Sequence, residues 1–100
     1  MLAKKRLEWS LRAEHGIDAI YDHIADDNPK AAESVIRQML ETAEQLLQFP
    51  MLGHEGKHTG TRELVLPKYP YTLIYRLTAD KIRIVAVIHQ SRAPKQSGRT

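Results

Sequence analysis

One hundred residues with 42% hydrophobic side chains make one domain around one core, because chains divide into units of roughly 100 to 200 residues. The absence of cysteine excludes a disulfide scaffold, thiol catalysis and thiolate zinc sites, leaving any chemistry to His, Tyr, Arg, Lys and carboxylates. The net charge of +3 is unevenly spread: residues 1 to 50 carry six Lys/Arg against nine Asp/Glu, whereas residues 51 to 100 carry nine against three. The second half is therefore the one expected to face nucleic acid or an acidic protein segment, unless its charge merely solvates the surface. Neither a run of ~18 apolar residues nor a charged-then-apolar leader occurs, so the expectation is a soluble, cytoplasmic chain without membrane contact.

The elements follow in chain order. Residues 3 to 9 partly alternate, with Leu7 and Trp9 on one side and Lys4 and Arg6 on the other, which suits an edge strand. Ser10 is placed to cap a helix on which Ala13, Ile17, Ile20, Tyr21 and Ile24 recur at helical spacing. Asp26-Asp27-Asn28-Pro29 ends that helix and begins another, with Asn28 as N-cap and Pro29 at the first helical position. Ala32, Val35, Ile36, Met39, Ala43, Leu46 and Leu47 form the second buried stripe. The two helices make an antiparallel hairpin. Phe49-Pro50 stops the second helix, and Met51 to Gly60 reads as a loop.

The period then changes. Thr61–Leu66, Tyr71–Leu77 and Lys81–His89 alternate or run β-branched, separated by Pro67-Lys68-Tyr69-Pro70 and by Ala79-Asp80. The expected fold is α+β, in the order β-α-α-β-β-β. After an N-terminal strand, an antiparallel helical hairpin packs on one face of a three- to four-stranded antiparallel sheet. Residues 1–92 form the domain, and 93–100 are expected to be a flexible basic tail.

A two-residue turn at Ala79-Asp80 sets Leu77 against Ile82, Tyr75 against Ile84, Leu73 against Ala86 and Tyr71 against Ile88 on the helix-covered face. The other face then carries Arg76 opposite Arg83, Ile74 opposite Val85 and Thr72 opposite Val87, with His89 at the far end. Opposed arginines repel unless an anion or carboxylate intervenes. Glu63 is the only strand carboxylate that could serve; an internal Glu63 bridge and an external anionic ligand are equal alternatives, and the neighbouring apolar stripe strengthens the external one. No third helix remains to cover the Ile74, Val85 and Val87 stripe, so a partner chain is expected there.

Catalytic motifs are sparse. His54 and His58 lie in a Gly-rich loop, where a four-residue spacing does not align two imidazoles as a helix would, so no metal site is expected. No phosphate loop or nucleophile elbow occurs, and no cofactor is expected. The remaining enzymatic reading is metal-free RNA cleavage using Arg76, Arg83, His89 and Arg92, which needs an acid, a base and cations for the phosphorane. Tyr75 falls on the core face, and Thr72, Val85 and Val87 bring no charge where a phosphate would lie.

Several strings, in order, are similar to the RelE/ParE superfamily of bacterial type II toxin-antitoxin toxins. They are Trp9-Ser10; Ile24-Ala25-Asp26-Asp27-Asn28-Pro29; Gly60-Thr61-Arg62-Glu63-Leu64; Pro70-Tyr71-Thr72-Leu73-Ile74-Tyr75-Arg76; and Val87-Ile88-His89 followed by Arg92. The resemblance covers about residues 4 to 92. It implies a growth-arresting toxin neutralised by a cognate ParD- or RelB-like antitoxin, whose C-terminal segment folds onto it. Ribonuclease members of the superfamily are ribosome-dependent and place Lys, Lys and Arg where this sequence has Glu63, Val65 and Thr72. The sequence thus looks closer to the ParE branch, whose members poison DNA gyrase. The alternative is a RelE-like mRNA endoribonuclease acting at the ribosome. The partner-binding residues expected on this basis are Arg62, Ile74, Arg76, Arg83, Val85, Val87, His89 and Arg92. Alternation with Leu64 and Leu66 also allows Arg62 on the core side.

Overall fold

The computed structural model describes residues 5–92, and the tail expected at 93–100 lies outside the described residues. The elements are β1 (Arg6–Trp9), α1 (Leu11–Ala25), α2 (Pro29–Gln45), β2 (His54–Glu55), β3 (Arg62–Val65), β4 (Tyr71–Leu77) and β5 (Lys81–His89), followed by a 3-10 turn at Gln90–Arg92.

Local chemistry places both helices. The Ser10 hydroxyl accepts from the Ala13 N–H at 3.0 Å and starts α1. The Asn28 side chain does the same for Ala31 at 3.1 Å, with Pro29 in the first turn of α2. Each cap satisfies one of the N–H groups that a helix start leaves without an intrahelical acceptor.

The α+β class and the order of elements are as the sequence indicates, but the sheet has five strands and is mixed. Its order is β1-β5-β4-β3-β2, with β1 parallel to β5 and the other pairs antiparallel. The fifth strand is the two-residue β2, within the stretch read as loop. There His54 pairs with Glu63 and Glu55 with Arg62.

One sheet face receives the helices. Leu73, Tyr75, Ile82 and Ile84 are fully buried against Ala13 of α1 and Val35, Met39 and Ala43 of α2, with Leu46 just beyond. Leu7 and Trp9 extend this face at the β1 edge, opposite Ile82 and Ile84. Burying a side chain of this size contributes about 1.5–3 kcal/mol, so this layer is the principal source of stability. The stripe on α2 is shorter than its periodicity indicates: Leu47 is exposed, because the helix ends at Gln45 and the chain turns away.

The segment after α2 is fastened to the sheet by polar contacts. The buried Tyr75 hydroxyl donates to the Pro50 carbonyl at 2.8 Å and accepts from the Gly53 N–H at 2.9 Å. A Cβ at Gly53 would fall 2.6 Å from the Glu63 carbonyl oxygen and 2.9 Å from the Tyr75 ring. Only glycine lets the backbone pass this close to β3 and β4.

Candidate functional site

The β4–β5 ladder decides which side chains share a face. Close to the turn the pairing is the expected one: Leu77 with Ile82, Arg76 with Arg83, Tyr75 with Ile84. Val85 then has no partner, and pairing resumes one residue later as Ile74 with Ala86, Leu73 with Val87, Thr72 with Ile88 and Tyr71 with His89. A β-bulge of one residue therefore reverses the facing of everything after it on β5. Val87 and His89 turn to the helix side, where Val87 is buried, while Ala86 and Ile88 take their places on the open side.

The junction between β1 and α1 grips β5 where the register changes. The Ser10 N–H donates to the Ile84 carbonyl at 2.9 Å, and its hydroxyl donates to the Val85 carbonyl at 3.0 Å. One serine thus caps α1 and engages the bulged residue.

The charged end of the open face differs from the expected arrangement in its carboxylate. Glu8, on β1 opposite Arg83, accepts from the Arg83 guanidinium at 2.5 Å, and its other oxygen lies 3.7 Å from the Lys81 ammonium. The hydrogen bond from Arg83 is the main reason the Glu8 carboxyl titrates below the ordinary carboxylate range, outweighing the opposing effect of its partial desolvation, with Lys81 adding to the depression. Glu63 does not serve Arg76 or Arg83. It is buried beside Ile74, and its carboxylate accepts from the Lys57 N–H at 3.4 Å beneath the loop that connects β2 to β3. Sequence reading missed Glu8 because β1 had no assigned neighbour. Its alternation with Arg6 was the available signal.

Arg76 is exposed and donates to the Thr59 carbonyl at 3.2 Å. Among the described residues it has no carboxylate within ion-pair distance. Gly60, next to that carbonyl, has φ +85°, a left-handed conformation suited to glycine. Ile74 and Val85 are half-buried.

Arg62 belongs to the helix side. It pairs with Tyr75, and its guanidinium donates to the Met51 carbonyl at 3.2 Å and to the Gly53 carbonyl. It ties the segment after α2 to β3, which corrects its placement on the open face. The most exposed large apolar residues near that segment are Phe49, Met51 and Leu52, not the stripe on β4 and β5. Their apolar character within a presumed loop was the unread signal.

His89 packs edge-on against Tyr71, with ring centroids 5.1 Å apart at 85°. Its Nδ1 accepts from the Ser91 backbone N–H at 3.0 Å. Since that N–H can only donate, the neutral ring carries its proton on Nε2. His89, His23, Tyr71 and Val87 line a groove of about 530 Å³ between α1 and the end of β5. Arg92 closes the 3-10 turn beyond it, and its side chain lies outside the described residues. His54 and His58 are exposed, and no cluster of three metal-ligating side chains occurs among the described residues.

Thus Arg76, Arg83 and His89, three of the residues expected for RNA cleavage, are not gathered. Arg76 and Arg83 sit at the turn end on one face, and His89 sits six positions along β5, about 20 Å at strand rise, on the other. The open face offers exposed cations at its turn end with half-buried Ile74 and Val85 beside them, whereas Glu63, Thr72 and Ala86 farther along are buried, so the surface available to another chain is the turn end.

Residues 7–94 match the family described as ParE toxin of type II toxin-antitoxin system, parDE. The chain is 36% identical over 88 residues to toxin Y4kP of Sinorhizobium fredii, covering 88% of this chain and 91% of that protein. To toxin RelE2 of Caulobacter vibrioides it is 29% identical over 84 residues, covering 84% and 93%. Among solved structures it resembles a chain of the chromosomal ParDE toxin-antitoxin system of P. aeruginosa, with TM-score 0.79, 26% identity and coverage of 86% and 96%. A chain of the RelBE2 toxin-antitoxin complex of Mycobacterium tuberculosis shares the fold, with TM-score 0.59, 18% identity and coverage of 87% and 99%.

Proposed function

Because the chain belongs to the ParE toxin family of type II toxin-antitoxin systems, we propose that it acts by binding DNA gyrase and is neutralised by a cognate antitoxin. The observation that carries this reading is the separation of Arg76 and Arg83 from His89 by the β5 bulge. Acid–base cleavage of RNA requires a base, an acid and phosphate-neutralising cations within hydrogen-bond reach of one phosphodiester. Here the imidazole and the arginines face opposite sides of the sheet. The Nδ1 of His89 is occupied by a backbone donor, and Glu63, Val65 and Thr72 bring no cation to the middle of the open face. A protein that acts by occupying a surface needs none of these groups assembled.

The test is a supercoiling assay with purified toxin, gyrase and relaxed plasmid. The expected result is loss of supercoiling with accumulation of cleaved DNA trapped on the enzyme, reversed by the antitoxin. Unimpaired supercoiling together with cleavage of translated mRNA at the ribosomal A site would reverse the assignment in favour of an mRNA endoribonuclease.

A further inference from the structure

Arg76 and Arg83 stand directly across β4 and β5, a placement that is repulsive unless a carboxylate joins them. Glu8 joins only one. One of its oxygens accepts from Arg83 at 2.5 Å and the other lies 3.7 Å from Lys81, while Arg76 has the neutral Thr59 carbonyl. A single carboxylate thus serves two cations, and a third cation beside them has none among the described residues.

The Glu8–Arg83 pair is open to water, with side chains 40% and 44% exposed. Ion pairs of this kind are weak and easily exchanged for another carboxylate. Past Arg76 the same face continues as half-buried Ile74 and then buried Thr72, not as further cations. Nucleic acid draws its affinity from many phosphate contacts. One free guanidinium next to half-buried apolar surface instead complements an acidic, amphipathic protein segment.

We propose that Glu8 is a built-in stand-in for an acidic partner segment. It occupies Arg83 and Lys81 in the free chain, and a carboxylate of the antitoxin, first engaged by Arg76, displaces it from Arg83. Glu8 therefore sets the affinity of the complex by competing for the antitoxin's own site. This inference rests on the reading of the chain as a toxin held by an antitoxin.

The test is calorimetric titration of the antitoxin encoded beside the toxin into the wild-type chain, Glu8→Gln, Arg76→Ala and the double variant Glu8→Gln/Arg83→Gln. Circular dichroism checks each fold, and Glu8→Ser provides a second means of removing the carboxylate. Glu8→Gln is expected to bind about fivefold more tightly, the scale of one exposed ion pair. Arg76→Ala is expected to bind about tenfold more weakly. In the double variant the gain from Glu8→Gln disappears.

Unchanged or weaker binding by both Glu8 variants, with the wild type still binding, overturns the competition and leaves the toxin reading standing. Absence of binding by the wild type overturns both. A gain seen with a single-stranded oligonucleotide and not with the antitoxin overturns the choice of partner.

Discussion

Removing the Ser10 hydroxyl tests the structural claim on which the arrangement of faces depends. In Ser10→Ala the Ala13 N–H loses its acceptor and the Val85 carbonyl loses a donor, both at 3.0 Å in the wild type. Loss of an N-cap costs about 1 kcal/mol. Depriving a part-buried carbonyl of its partner costs about 1–2 kcal/mol more, and Ser10 is only 8% exposed, so water replaces the hydroxyl poorly. The expected loss is about 2–3 kcal/mol, a substantial part of the 5–15 kcal/mol typical of a domain. It corresponds to a fall in melting temperature of roughly 10–20 °C for a chain of this length.

Urea unfolding followed by far-UV circular dichroism measures the loss, and a second variant divides it. Ser10→Asp keeps an acceptor for Ala13 but has no proton to donate, so its carboxylate faces the Val85 carbonyl. It is expected to recover the capping contribution and still fall about 1–2 kcal/mol below the wild type. If Ser10→Ala loses less than about 0.5 kcal/mol, or Ser10→Asp matches the wild type, the serine does not hold the bulge and the reasoning fails.

Three further outcomes are expected. Tyr75→Phe removes the hydroxyl that serves both Pro50 and Gly53, and should cost about 2–3 kcal/mol by urea unfolding with faster amide exchange at Gly53; unchanged exchange there would contradict the role assigned to Tyr75. Ile84→Asp places an unpaired charge among Trp9, Tyr75 and the helices and should abolish folding, whereas a soluble variant with native circular dichroism would mean that the sheet faces are exchanged. The Glu8 carboxyl, followed by carbon-13 NMR, should titrate below an ordinary glutamate, and Arg83→Gln should move it upward. Because its folded pKa is depressed, the associated stabilisation is present above the unfolded glutamate range and is lost as pH falls through the folded value. An unmoved midpoint in Arg83→Gln would remove Arg83 as the cause.

Much of the fold is legible in short stretches. Ser10 and Asn28-Pro29 carry their capping roles within three or four residues, and the apolar repeats of both helices announce a single buried side. The Ala79-Asp80 turn correctly pairs Arg76 with Arg83, because only two residues lie between each arginine and the turn. Counting fails at Val85. A bulge inserts one unpaired residue without a local signature, and with a side-chain period of two every later position changes face. Counting from the turn therefore puts Val87 and His89 on the wrong side, and with them the imidazole of the candidate ribonuclease set.

The class, the order of elements, the basic character of the second half and the family strings are all written in the amino-acid order. These depend on composition and on neighbours in the chain. Folding in three dimensions sets β1 beside β5, brings Glu8 and not Glu63 to Arg83, ties the segment after α2 down through Arg62, and turns His89 toward α1. Each of these joins groups far apart in sequence, through strand order, the bulge or a backbone carbonyl. Such contacts are selected by the packing of the whole domain, which no local pattern encodes.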